Sequence, residues 1–240
     1  MSYNQHESSI FQTLIDFFSG IIKFLSAAAA LAIVFTGISN SQATPDNYVF
    51  EKDYVRDFNV VAGKADSTVQ FVYFIDLQCP ACKANDPTVQ EIQAEFGDRV
   101  AFVYRNYTLS DIHVFADVAA RGGQAAARQG NDKYFAYKAK IYATQETLSV
   151  DNIIKSAQDS GIDMDRWNKD RQSSQILDEV RTDVRDIKAA NLPKTKNRPD
   201  GGKALGTPTT VLMKDGEVFD SWTGGLSKDA QKAAIAEALI

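Results

Sequence analysis

Residues 68–82 read TVQFVYFIDLQCPAC and join a candidate strand to a candidate helix. The segment 68–75 is rich in β-branched and aromatic residues without strict alternation, which is typical of a central strand buried on both faces. Cys79 stands where a helix should begin, and Pro80 takes the first helical position, where a missing N–H costs nothing. The stretch therefore predicts a strand that leads into a helix, with two cysteines at the junction.

Downstream of the cysteines, the pattern continues as a β-α-β unit. Val89, Ile92 and Phe96 recur at helical spacing, and Gly97 ends that helix. The segment 100–107, VAFVYRNY, predicts the next strand.

A long helical block follows at about 111–191. It ends with Ile176, Val180, Val184 and Ile187, whose spacing predicts one buried face.

The C-terminal part predicts two more strands and a helix. Thr209–Met213 and Val218–Trp222 flank Asp215-Gly216, a dipeptide typical of hairpin turns, and Ser227 can cap a final helix. The fold class expected is α/β.

The N-terminal part carries an apolar run. Residues 24–39, FLSAAAALAIVFTGIS, are uncharged, and with residues 20–22 and a snorkelling Lys23 they predict a transmembrane helix. A cleaved signal peptide is the competing interpretation, because Ser41-Gln42-Ala43 supplies small residues after the run, and a buried core helix is a third. We interpret residues 1–43 as a membrane anchor or signal segment, 44–56 as a linker and 57–240 as the main domain.

Composition narrows the function classes. The 240 residues carry a formal net charge of -5, so nothing indicates the broad basic surface that nucleic-acid binding requires. Nucleic acid is not an expected partner.

The chain has two cysteines, and both fall in Cys79-Pro80-Ala81-Cys82. A disulfide that closes so short a loop constrains the unfolded chain little, so the pair is chemical rather than architectural. At a helix N-terminus, unpaired N–H groups and the helix dipole stabilise a thiolate. We predict that Cys79 is the nucleophile and that Cys82, one turn into the helix, is the resolving thiol.

A metal site is the alternative for this motif. A Cys-x-x-Cys is also half of a zinc site, but zinc needs three or four ligands and no other cysteine exists. His113, the only histidine beyond the N-terminal segment, is a possible third ligand of a soft metal, and otherwise a helix residue near the active helix. We expect disulfide chemistry with no metal and no cofactor.

Thr207-Pro208 is the second candidate element, immediately before a predicted strand. Proline cannot occupy a central ladder position, so a cis bond is expected here, with an ordinary turn proline as the alternative. The backbone of Thr207 is then free to pair with an extended substrate beside Cys79.

From residue 57 to 240 the chain resembles the DsbA-like thiol-disulfide oxidoreductases of the thioredoxin superfamily. The resemblance rests on residues 74–82, FIDLQCPAC, and on Thr207-Pro208, which matches the family's cis-proline loop. It implies a thioredoxin fold with an inserted helical domain. It also implies an enzyme that oxidises newly exported client proteins and is reoxidised by a membrane quinone-linked partner.

Two positions depart from the family. Ala81 replaces a histidine of the best-known members, so we expect a less oxidising couple here. Tyr73 stands where relatives often place a buried acid, so proton handling is left to solvent or to Asp76. Asp76 is interpreted as a hydrogen-bonded loop residue in preference to a catalytic base.

A basic loop precedes Thr207, and we hypothesise that it lies at the rim of the active site, where positive charge favours a thiolate and acidic clients. A solvated connection without a partner is the alternative. The basic residues are Lys194, Lys196, Arg198 and Lys203.

The leading interpretation is a membrane-anchored, extracytoplasmic dithiol oxidase, or a secreted one if the signal is cleaved. A reductase or isomerase has the same residues and differs in redox potential. A module that binds peptide or metal without redox turnover is the alternative from another class.

Overall fold

The computed structural model describes residues 56–240, and the strands of this part form one mixed sheet. The strands are β1 (Val60–Gly63), β2 (Val69–Ile75), β3 (Ala101–Asn106), β4 (Thr209–Lys214) and β5 (Glu217–Thr223). Their order across the sheet is β1-β3-β2-β4-β5, with β2 and β3 parallel and the other neighbours antiparallel. The sequence pattern predicts each strand except β1, which has four residues and lies at an edge.

The predicted anchor or signal segment at 1–43 lies outside the described residues, as does the predicted linker at 44–56 apart from Arg56. Between residues 56 and 240, no helix is both long enough and apolar enough to cross a membrane.

Strand β2 is buried on both faces, as predicted. Phe71, Tyr73 and Ile75 belong to the core that contains both cysteines, whereas Val72 and Phe74 belong to the core on the other face. Because β3 and β4 pair with β2 on either side, its backbone groups are used in the sheet. This central position holds the C-terminal end of β2, where the cysteine loop begins.

Helix α1 (Pro80–Phe96) confirms the predicted β-α-β unit. Val89, Ile92 and Phe96 are buried on its inner side. The helix ends at Gly97, whose N–H donates to the carbonyl of Gln93 over 2.9 Å.

The helical insertion predicted at about 111–191 is present. It contains α2 (Ala116–Ala127), α3 (Asn131–Ala143), a 3₁₀ turn (Gln145–Thr147), α4 (Val150–Gln158), α5 (Met164–Asp170) and α6 (Ser174–Ala189). Ser149, Asp163 and Ser173 cap α4, α5 and α6 by accepting a hydrogen bond from a backbone N–H three residues on. On α6, Ile176, Val180 and Ile187 are buried and Val184 partly so, which confirms the predicted face.

Side-chain to backbone hydrogen bonds join the helices of the insertion. Trp167 of α5 donates its indole N–H to the carbonyl of Gly122 over 2.8 Å. Tyr137 of α3 donates its hydroxyl to the carbonyl of Ala119 over 3.1 Å. Both acceptors lie on α2, so α3 and α5 are fixed against one helix.

A buried ion-pair network joins α6 to the sheet. Arg105 of β3 contacts Asp183 at 2.7 Å and Asp186 at 2.6 Å. Its guanidinium also lies 5.0 Å from the centre of the Phe74 ring. These contacts place Arg105 on the side of the sheet that faces away from the cysteines.

The C-terminal elements follow the prediction. Asp215 and Gly216 have φ values of 51° and 81°, as a tight hairpin turn requires. Ser227 caps the last helix, α7 (Lys228–Ala238), by accepting from the N–H of Ala230 over 3.3 Å.

Candidate active site

Cys79 is the N-cap residue of α1. Its backbone is extended (φ −75°, ψ 122°), and Pro80 is the first residue of the helix. The carbonyl of Cys79 accepts hydrogen bonds from the N–H groups of Cys82 at 3.1 Å and Lys83 at 3.2 Å. Cys79 is 6% exposed and Cys82 is 0% exposed, so of the two sulfurs the first is the one that solvent reaches.

The pKa of the Cys79 thiol is lowered to about 5. The largest cause is a hydrogen bond with the Cys82 thiol, which burial opposes; Thr207 and the backbone N–H groups of Cys82 and Ala81 contribute further. Ala81 thus acts through its backbone, which any residue at that position would supply. Cys79 is therefore a thiolate near neutral pH.

The pKa of Cys82 is shifted in the opposite direction. Burial raises it well above its ordinary value, and the neighbouring Cys79 raises it further. The backbone N–H of Asp76 donates to the Cys82 sulfur over 3.5 Å. Both cysteines are free, and in this reduced form the pKa shifts favour a Cys79 thiolate that accepts a hydrogen bond from the protonated Cys82 thiol.

The fold brings Thr207-Pro208 to the cysteines. The peptide bond before Pro208 is cis, as predicted. The carbonyl oxygen of Thr207 lies 3.5 Å from the sulfur of Cys79. Pro208 is held in turn by Gly224, whose N–H donates to the Pro208 carbonyl over 2.7 Å. Two elements that are far apart in the sequence therefore form one site.

Asp76 is a buried, hydrogen-bonded residue of the cysteine loop. One carboxylate oxygen accepts from the N–H of Gln78 at 2.7 Å. The other accepts from the N–H of Leu109 at 2.8 Å and lies 2.8 Å from Nδ1 of His113. The Asp76 carboxylate thus links the cysteine loop to the loop that contains Leu109 and His113. This agrees with the interpretation of Asp76 as a hydrogen-bonded loop residue.

His113 does not lie in a helix, so its interpretation as a helix residue was wrong. It lies in the loop before α2. Its backbone N–H donates to the carbonyl of Leu109 over 2.9 Å, and Nδ1 of its ring lies beside the Asp76 carboxylate. Among residues 56–240, no group of three or more His, Cys, Asp or Glu side chains is arranged to hold a metal ion.

Two glutamines support the cysteine loop, and sequence reasoning missed both. Gln145 donates from its side-chain amide to the carbonyls of Leu77 at 2.9 Å and Cys79 at 3.1 Å. Gln78 accepts from the N–H of Phe115 over 2.7 Å. No sequence signal marks Gln145, because its partners lie 68 and 66 residues away.

Two basic residues of the loop before Thr207 have partners in the structure. Arg198 donates to the hydroxyls of Ser221 at 3.1 Å and Thr223 at 2.6 Å. Lys196 contacts Glu237 of α7 at 3.0 Å. The pKa of Cys79 is lowered mainly by hydrogen bonds, so the proposed influence of this loop on the thiolate stays a hypothesis.

A family model described as Thioredoxin matches residues 57–195, which is more than half of the chain. This chain belongs to the thioredoxin family. The matched region contains both cysteines and the whole helical insertion.

Curated relatives of this thioredoxin-family chain include much longer proteins. The Na(+)/H(+) antiporter NhaA 1 of Mycolicibacterium gilvum is 30% identical over 155 residues, which are 64% of this chain and 24% of the antiporter. The NhaA 3 antiporter of Salinispora tropica is 27% identical over 62% of this chain and 21% of its own length. This chain thus spans about a quarter or less of these relatives.

Solved structures share the fold. The thiol-disulfide exchange protein alpha-DsbA2 of Wolbachia pipientis has a TM-score of 0.62 at 17% identity, covering 75% of this chain and 86% of that one. The catalytic domain of Proteus mirabilis ScsC also gives 0.62 at 17% identity, covering 78% and 93%. A thioredoxin-like oxidoreductase from Silicibacter pomeroyi gives 0.58 at 21% identity, covering 76% and 93%. The α/β fold with a helical insertion is therefore thioredoxin-like.

Proposed function

We propose that this thioredoxin-family chain is a thiol-disulfide oxidoreductase that introduces disulfides into exported proteins. The observation that carries the proposal is the opposite behaviour of two sulfurs within one helical turn. The pKa of Cys79 is lowered to about 5, whereas the pKa of Cys82 is raised well above its ordinary value. Disulfide exchange uses this asymmetry, because one sulfur meets the client and the other completes the reaction inside the protein.

The reaction begins with the Cys79–Cys82 disulfide. A client thiolate attacks the sulfur of Cys79, the bond between the enzyme sulfurs breaks, and its electron pair goes to Cys82. A second client thiolate then attacks the client sulfur of the mixed disulfide, and Cys79 leaves as a thiolate. The client has gained one disulfide, and the enzyme has gained two electrons. Cys82 has taken up one proton.

The low pKa of Cys79 supports the oxidase direction of the proposal. A stabilised thiolate makes Cys79 a good leaving group and stabilises the reduced enzyme, so transfer of the disulfide to clients is favoured. Ala81 supplies no positive charge, so we keep the prediction of a less oxidising couple than in relatives that carry histidine there.

Client binding is assigned to Thr207, Pro208, Pro80 and Ala81. The carbonyl of Thr207 lies beside the sulfur of Cys79, where an extended client segment can pair with the Thr207 backbone and present its own sulfur. Pro80 and Ala81 lie between the two cysteines, in the first turn of α1.

For location, we propose a single-pass cell-membrane protein with an extracytoplasmic catalytic domain, or a secreted one if the signal is cleaved. The apolar run at 24–39 supports export. The resemblance to the DsbA-like enzymes supports reduced exported proteins as clients and a membrane quinone-linked thiol oxidase as the reoxidant.

Equilibration of the full chain with glutathione buffers tests the proposal, with the fraction of disulfide read by thiol labelling. We expect a potential above roughly −200 mV; a value near −270 mV is the range of thioredoxin and would make the chain a reductase. Refolding of a reduced disulfide-containing protein supplies the second readout. Cys79→Ser should abolish the activity, and Cys82→Ser should trap mixed disulfides. A chain whose two cysteines do not cycle would refute the proposal.

A further inference from the structure

The interior of the molecule holds an ion pair that the exchange reaction described above does not use. Lys138 of α3 donates to a carboxylate oxygen of Asp86 of α1. The two residues are 1% and 5% exposed. The second oxygen of Asp86 accepts from the Gln90 amide over 2.6 Å. Burying two charges costs about as much free energy as their attraction returns, so stability alone does not account for this pair.

The ion pair lies one helical turn below the resolving thiol. Cys82 and Asp86 are four residues apart on α1 and both are buried, so they lie on the same face of the helix. Lys138 reaches this face from α3. Its ammonium group lies 5.1 Å from the ring centre of Tyr104 and 5.8 Å from that of Tyr142, two side chains of the core that contains Cys82.

In the described part of the chain, no other buried basic side chain lies on the side of the sheet that contains Cys82. The other buried basic residue in that part of the chain is Arg105, which packs on Phe74 on the opposite face of the sheet. Arg105 also contacts two carboxylates of its own, on α6. Lys138 is thus the buried positive charge on the side of Cys82.

Cys82 needs such a charge whichever way the exchange runs. Its sulfur leaves the Cys79–Cys82 disulfide with an electron pair, and in reverse it must be anionic to attack a mixed disulfide. Burial makes this anion costly, as the raised pKa of Cys82 reflects. Burial also lowers the pKa of Lys138, whereas the negative charges of Asp86 and Cys82 act to raise it. The ammonium group and the sulfur therefore stabilise each other's charged form.

Asp76 does not supply this charge, because a carboxyl group is neutral or negative. It contacts the Cys82 sulfur through its backbone N–H, while its carboxylate binds backbone N–H groups and His113. Tyr73 does not supply it either, because a phenol carries no positive charge, and burial keeps this one neutral by raising the pKa of its hydroxyl. Its oxygen accepts from the amide of Asn85 over 2.9 Å.

We propose that Lys138, held in place by Asp86, is the counter-charge for the Cys82 thiolate during disulfide exchange; this inference rests on the proposed function. When a client thiolate attacks Cys79, the electron pair of the broken S–S bond resides on Cys82, opposite the ammonium group. The thiolate keeps this partner until it takes a proton from solvent. Lys138 and Asp86 are positioning residues, since they act on the reaction through Cys82.

The test isolates the step in which Cys82 must be anionic. Reduced full-length protein reacts with oxidised glutathione at Cys79, and Cys82 then releases the bound glutathione, whose appearance is followed by stopped flow against pH. The double variant Lys138→Met/Asp86→Leu replaces the buried ion pair with two apolar side chains of similar size. It leaves no unpaired charge in the interior, and proteins tolerate such a replacement. We expect release at pH 7 to slow about tenfold or more, with a pH midpoint about one unit higher.

Two further variants separate charge from structure. Asp86→Asn is nearly the same shape but removes the negative charge that helps keep the buried Lys138 ammonium group protonated, so the midpoint of release should move to higher pH, as in the double variant. Lys133→Met, on the same helix but paired with the exposed Asp132, should stay within about twofold of wild type. Wild-type protein that forms no mixed disulfide would refute the proposed function. Wild type and variants with the same release rate and midpoint would refute the counter-charge alone.

Discussion

The side-chain amide of Gln145 donates a hydrogen bond to the carbonyl oxygen of Cys79 over 3.1 Å, and a second one to the carbonyl of Leu77 over 2.9 Å. Gln145 belongs to the 3₁₀ turn of the helical insertion, whereas Cys79 lies between the sheet and α1. The insertion therefore does more than cover the sheet, because it holds the loop in which the cysteines lie.

Replacing Gln145 with leucine should destabilise the reduced protein by about 1–3 kcal/mol, because two buried carbonyls lose their donor. The free energy of unfolding, from urea titration, measures the effect. Gln172→Leu is the matched control, since the amide of Gln172 donates to an exposed carbonyl of Asn168. Equal losses in the two variants would show that the bonds to the cysteine loop add nothing.

The alkylation rate of Cys79 by iodoacetamide should rise with a midpoint near pH 5, while Cys82 stays unmodified below about pH 8. Mass spectrometry of the labelled peptides distinguishes the two positions. Cys82→Ala removes the main hydrogen bond to the thiolate, so the midpoint of Cys79 should move to higher pH. A midpoint at the ordinary cysteine value in the wild-type protein would contradict the site as described.

The lowered pKa of Cys79 also makes the stability of the reduced protein depend on pH. The pKa of Cys79 is about 5 when folded and near 9 in the unfolded chain, so between these values the unfolded state binds more protons. The reduced protein should therefore gain stability over Cys79→Ala as the pH rises from about 5 towards 8, and lose that advantage as the pH falls through 5. A constant difference across this range would count against the lowered pKa.

Two adjacent glycines of α2 should respond oppositely to alanine. At Gly122 a Cβ would collide with the hydroxyl of Tyr137 and lie 3.0 Å from the Trp167 ring, so Gly122→Ala should cost about 1–3 kcal/mol. At Gly123 the nearest atom is 3.4 Å away, so Gly123→Ala should be neutral or gain up to about 1 kcal/mol from helix propensity. Thermal unfolding of the two variants compares them, and a neutral Gly122→Ala would contradict the close contact of α2 with α3 and α5.

Much of the fold could be predicted from the sequence because the signals are local. Strand β2 has the composition of a buried strand, Pro80 marks the first turn of α1, and Asp215-Gly216 marks the hairpin. The alternation of strands and helices then leads to the α/β class, since such units pack in few ways. Strand β1 was missed because four residues at an edge carry too weak a pattern.

The active site could likewise be predicted from the sequence only in part. The sequence by itself determined that two cysteines one helical turn apart stand at a helix N-terminus, and that a proline precedes β4. Only the tertiary structure decided that Thr207 lies beside Cys79, that His113 turns towards Asp76, and that Lys138 meets Asp86 beneath Cys82. The physical reason is range: propensity and capping act between neighbours in sequence, whereas ion pairs and buried hydrogen bonds join residues that only the packing of helices against the sheet brings together.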